Sequence, residues 1–99
     1  MNTTYDDFIL TIENNQQPPN LPLYLQALWY DAKGDWNKAH GLIDSLDDAN
    51  SCWVHAYLHR KEGDIHNAEY WYRRANKQKP NVSLQQEWQN LAMELLLNS

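Results

Sequence analysis

An all-helical fold built from antiparallel helix pairs is what this sequence predicts, and three observations carry that reading. Apolar residues recur at spacings of three and four, alternation at two never persists, and the turn KGD at Lys33–Asp35 returns as EGD at Glu62–Asp64. About six helices result. They divide one domain into an N-terminal cap helix with its linker (residues 1–20), a first hairpin (21–47), a second hairpin (48–80) and a C-terminal cap helix (81–99).

Each element has a local cause. Tyr5, Phe8, Ile9 and Ile12 make one apolar stripe; Thr3 and Thr4 are placed to cap it, and Asp6 and Asp7 sit in the first turn, where the helix dipole favours acids. QQPPN, residues 16–20, ends that helix. A second helix is expected from about Leu21 to Ala32. Leu21, Leu23, Leu25, Ala27, Leu28 and Tyr30 cover most of its circumference, so it should be sandwiched between neighbours. A third runs from about Trp36 to Leu46, a fourth from about Asp48 to the EGD turn, and a fifth from there to about Lys77. In both turns the glycine, Gly34 or Gly63, suits the left-handed position that ends one helix, and Asp35 or Asp64 caps the next. The sixth helix opens with Ser83 and Gln86 in capping-box spacing and carries Leu84, Trp88, Leu91 and Leu95 on one stripe.

The two hairpins repeat each other. ALWYDAKGDWNKAHGLI aligns without gaps on AYLHRKEGDIHNAEYWY at an offset of 29 residues, pairing Ala27 with Ala56, Gly34 with Gly63, Asp35 with Asp64 and Ala39 with Ala68. Alanine at the paired positions lets two helix backbones approach closely.

On these residues the chain resembles the tetratricopeptide repeat, a pair of antiparallel helices with a small residue early in its first helix, glycine at the turn, and an Ala, aromatic, Ala, Pro series in and after its second. Ala56, Gly63, Ala68, Tyr72, Ala75 and Pro80 fall at those places. The first hairpin keeps Ala27, Tyr30, Gly34 and Ala39 and departs at Ile43 and Leu46, and the offset of 29 is shorter than the family's period of about 34. The resemblance covers about Leu21 to Pro80 and implies two degenerate repeats closed by terminal helices. It also implies a concave face drawn from the first helix of each pair, carrying Tyr24, Leu28 and Asp31, then Trp53, Tyr57, Arg60 and Lys61. Family members that grip a terminal carboxylate use Lys, Asn and Arg at set positions. Tyr24, Leu28, Asn50 and Trp53 stand there, so that ligand is not implied. The stretch HAYLHRKEGDIHNAEYWYRRA is also similar to a small group of uncharacterised bacterial proteins, a likeness that carries no activity.

Composition limits the function classes. With 99 residues, 42% apolar and 21% charged, the chain suits one small core. No run approaches the roughly 18 apolar residues of a membrane span, and MNTTYDDFILTIENN is acidic where a secretion signal is basic, so a soluble cytoplasmic protein is expected. A formal charge of −5 argues against a general nucleic-acid binder. All six basic residues of the second half lie between Arg60 and Lys79, which fits a local anion-attracting patch as well as ordinary solvated helix faces. Cys52 is the only cysteine, which excludes an intramolecular disulfide.

Three chemistries remain. Cys52, His55 and His59, spaced three and four apart, share one helical face, and sulfur with two imidazoles suits zinc or copper. His40 and Asp44 form a second such pair one helix earlier, and the two faces meet if the hairpins pack. Packing explains the same residues, because they occupy the large-residue positions of the helix pair. For catalysis, a nucleophile elbow, a phosphate-cradling glycine loop and HExxH are all absent, and Asp6/Asp7 and Asp47/Asp48 are explained as helix starts. No enzyme is expected, and no cofactor.

The third is recognition. Trp53, Tyr57, Arg60 and Lys61 combine aromatic area with cations in the manner of an interaction hot spot, unless the terminal helices fold across that groove. Tyr70, Trp71 and Arg74 lie off the stripe of Ile65, Ala68, Tyr72 and Ala75, and are left to cover the last helix, meet a partner or lie exposed. MELLL, Met93–Leu97, leaves apolar surface suited to self-association. The preferred expectation is a non-catalytic protein or peptide interaction module. The second is a small metal-binding or sensing domain using Cys52, His55 and His59, with His40.

Overall fold

The computed structural model describes residues 3–98, which form six α-helices with no strand among them. These are α1 (Tyr5–Glu13), α2 (Leu23–Ala32), α3 (Trp36–Ile43), α4 (Ala49–Lys61), α5 (Ile65–Arg74) and α6 (Leu84–Leu97). α2 packs chiefly on α3 and α4 chiefly on α5.

The two hairpin turns are built alike. Gly34 (φ 85) and Gly63 (φ 90) take the left-handed conformation. Behind them the Asp35 N–H donates to the Tyr30 carbonyl at 2.9 Å, and the Asp64 N–H to the His59 carbonyl at 3.0 Å. Each aspartate then caps the next helix, accepting from the N–H of Lys38 at 3.0 Å or of Asn67 at 3.3 Å. α1 and α5 close the same way with asparagine, Asn15 (φ 58) and Asn76 (φ 59), the residue that best tolerates this region after glycine. Ala27, Ala39, Ala56 and Ala68 are fully buried, as close helix approach requires.

Helix ends move by a few residues from expectation. α2 starts at Leu23 because Pro22, which has no N–H, takes the N-cap place. α3 stops at Ile43, with the Leu46 N–H turning back to the Ile43 carbonyl at 3.0 Å. α5 stops at Arg74, where the Lys77 N–H reaches the Tyr72 carbonyl at 2.9 Å. Thr4 caps α1 by accepting from the Asp7 N–H, and Ser83 caps α6 by accepting from the Gln86 N–H. The Gln86 amide turns to Asn90 and leaves the capping box half made.

α4 is the central helix, in contact with α2, α3, α5 and α6, and it buries Ser51, His55 and His59 along with its apolar residues. α6 folds back over α2 and α4. The Trp88 indole N–H donates to the Leu28 carbonyl at 3.1 Å, and its ring stacks on Phe8 at 6.1 Å, joining α1, α2 and α6. Below it lie two buried carboxylates. Asp31 accepts from the Tyr57 hydroxyl and the Lys61 ammonium, both at 2.9 Å. Glu87 accepts from Arg60 at 2.7 Å and from the Tyr72 hydroxyl, while Arg60 also donates to the Val82 carbonyl. Burial and these carboxylates push both tyrosine hydroxyls far above their ordinary range.

The concave face is therefore corrected. Leu28 and Tyr57 are core residues, Tyr24 is partly buried against the same core, and Arg60 and Lys61 are committed to Glu87 and Asp31. The reason is physical. A short chain covers the groove with its own last helix, and the buried carboxylates match the groove's cations. On α6 itself Leu95 and Leu96 are buried, whereas Met93 and Leu97 remain exposed.

Candidate functional site

On the other side of α4, three imidazoles converge. α4 presents His55 and His59 one turn apart, and α3 presents His40 one turn after Trp36, at the α3–α4 contact. A ring nitrogen of each histidine lies within 4.8 Å of the others. His40 Nε2 and His55 Nε2 are 3.1 Å apart, within hydrogen-bond distance. The His59 Nδ1–H donates to Glu62 Oε1 at 2.6 Å, and His40 Nδ1 lies 4.0 Å from Asp44 Oδ2.

Indole rings fix the imidazole planes. Trp36 stacks on His40 at 4.8 Å and 9°, and Trp71 of α5 stacks on His55 at 3.9 Å and 17°. Trp36 is anchored by its own N–H, which donates to the Leu58 carbonyl at 2.8 Å. Burial, reinforced by His40 and His59, pushes His55 down from 6.5 to about 4; burial and His59 also lower His40, against the pull of Asp44 and Glu62. Both rings are neutral at pH 7.

Donors are scarce here. When His55 gives its Nε2 proton to His40, the His55 Nδ1 lone pair is buried without any hydrogen-bond partner. The nearest donor to His59 Nε2 is the Asn67 amide, at 3.5 Å. The opposite tautomer of His55 is worse, since it buries an N–H with nothing to accept it.

Cys52 was expected beside His55 and His59. It is fully buried, its thiol pushed up by burial, and it does not belong to the histidine group. Spacing puts it on the right helix, but the third ring comes from α3. His40 is the residue that the structure adds to the helical pair, as the meeting of the two faces predicted. Trp36, Glu62 and Asn67 went unremarked in the sequence. Glu62, three residues after His59, is the one that helical spacing exposes.

Trp71 joins this cluster to a surface. Tyr70 lies edge-on to it at 5.1 Å, and the Arg74 guanidinium sits 5.1 Å from the Trp71 ring centre while donating to the Tyr70 hydroxyl at 3.1 Å. Nearby on α4, Trp53 is partly buried beneath the Lys77 ammonium, 4.2 Å from its ring centre. Of the expected recognition residues, Tyr24, Arg60 and Lys61 keep some exposure but pack on the core or pair with buried carboxylates, whereas Trp53, Tyr70, Trp71 and Arg74 are at the surface in whole or part without a buried carboxylate partner. Comparison with protein-family models, with curated proteins and with solved structures finds no match to this chain.

Proposed function

We propose that the chain is a non-catalytic protein or peptide interaction module, its helix pairs read as degenerate tetratricopeptide-like repeats, and that its docking face is Trp53, Tyr70, Trp71 and Arg74. The observation that supports this reading is Tyr70. It is 44% exposed, belongs to neither core cluster, and is held in place by Arg74 and Trp71. A rigid aromatic pair with a guanidinium is the composition of an interaction hot spot. Arg73, Lys77 and Lys79 extend the positive charge along the same segment, which suits an acidic partner. A cytoplasmic setting and self-association through Met93 and Leu97 belong to the same proposal. No helix among the described residues is long and apolar enough to cross a membrane.

The test uses the whole chain as bait, beside Tyr70→Ala/Arg74→Ala. The partner identified by mass spectrometry should bind the purified wild type and lose affinity roughly 30-fold or more in the double variant, whose melting temperature is unchanged. Equal affinity for both would remove this face from the account.

A further inference from the structure

We propose that His40, His55 and His59 form a binding site for one transition-metal ion, zinc or copper in class, with Glu62 and Asp44 as the carboxylates behind its ligands. This inference is independent of the docking face, because it rests on different residues and a different ligand.

Geometry carries it. Imidazole nitrogens bound to a tetrahedral zinc at about 2.0–2.1 Å stand about 3.3 Å apart. The His40–His55 nitrogen separation is 3.1 Å, so both can ligate one ion with little movement of either ring. His59, one helical turn from His55 and with a nitrogen within 4.8 Å, supplies the third ligand by a small rotation. The donor set agrees: three imidazoles, ligands that zinc and copper favour, converge from two helices, and the ring of His55 is only 3% exposed.

The surrounding residues fit as well. Metal-bound histidines usually give their other N–H to a carboxylate or carbonyl, which fixes the tautomer and raises ligand basicity. Glu62 does this for His59 at 2.6 Å, and Asp44 faces His40 at 4.0 Å. The His40 side chain is 25% exposed, which gives the ion a way in from solvent. Three protein ligands leave a fourth position for water or a partner's group. Binding at both Nε2 atoms moves the His55 proton to its Nδ1, so both rings stay neutral ligands and the metal keeps its oxidation state. The bonds to the metal outweigh the cost of that buried N–H.

The experiment is a titration of tag-free, chelator-treated protein with zinc alone, and separately copper(II) alone, by calorimetry and by Trp fluorescence, since Trp36 and Trp71 flank the site. The expected result is one saturating ion per chain, copper quenching the fluorescence to the same end point. His40→Ala, at a partly exposed position, should keep its helical circular dichroism and lose at least about a hundredfold in affinity. Glu62→Gln should lose roughly 10–100-fold. Cys52→Ser should bind as the wild type does, and the cobalt-loaded protein should show no thiolate charge-transfer band. Should His40→Ala fail to fold, His40→Gln replaces it with the same expectation. Absence of a saturable one-to-one event overturns the site. So does undiminished affinity in the folded His40 variant, or loss of binding in Cys52→Ser.

Discussion

Polar groups are buried on two sides of α4, and the two sides dispose of them differently. Toward α6, Asp31 accepts hydrogen bonds from Tyr57 and Lys61, and Glu87 from Tyr72 and Arg60, so each carboxylate faces a cation and a hydroxyl. Toward α3 and α5, three imidazoles meet with one lone pair unpartnered. Complete pairing holds the first side together; the second leaves convergent imidazole nitrogens, the geometry on which the metal site is proposed.

The largest expected effect comes from breaking the paired side. Glu87→Ala leaves Arg60 and the Tyr72 hydroxyl buried without their acceptor and should cost about 3–5 kcal/mol in urea unfolding. A loss below about 1 kcal/mol would mean that α6 is held by Trp88 and its leucines alone.

The histidine side should make stability depend on pH. His55 titrates near 4 in the folded chain against 6.5 ordinarily, so below 6.5 the unfolded chain binds a proton that the folded chain refuses until about 4. Stability is therefore complete above 6.5 and falls as pH drops toward 4, by on the order of 2–3 kcal/mol from this group. His40, His59 and Asp44 act on the same ring and modulate the size of the fall. Urea midpoints measured from pH 7 to pH 4.5 should show the decline, and His55→Leu should flatten it.

Smaller effects sharpen the repeat. Gly34→Ala and Gly63→Ala meet no atom within 4 Å, so only the left-handed backbone is penalised. Each should cost about 1–2 kcal/mol, and the two should agree closely because both turns close with the same backbone bond and aspartate cap. Tyr70→Ala/Arg74→Ala should lie within about 0.5 kcal/mol of the wild type, since the pair is outside the core.

The helix pairs were legible because their punctuation is local. Glycine at a positive φ, aspartate caps and paired alanines each act within one turn of chain, and all of them stand where KGD and EGD put them. What covers the groove was not legible. Arg60 and Lys61 look like solvent cations until Glu87, 27 residues after Arg60, and Asp31, 30 residues before Lys61, are folded against them. The histidine site was half legible: a spacing of four puts His55 and His59 on one face, but no spacing rule says that Cys52 turns elsewhere or that His40 completes the group. α4 is the most enclosed element although it carries Ser51, His55 and His59, because its imidazoles stack inside the packing.

The difference between the two sides of α4 is tested most directly by thermal unfolding with and without zinc in three proteins, the wild type, Glu87→Gln and His40→Ala. At a hundredfold excess over Kd, zinc should raise the melting temperature of the first two by roughly 10–20 °C and leave the third unmoved. A wild type that ignores zinc, or a His40→Ala protein that gains as much as the wild type, would contradict the account.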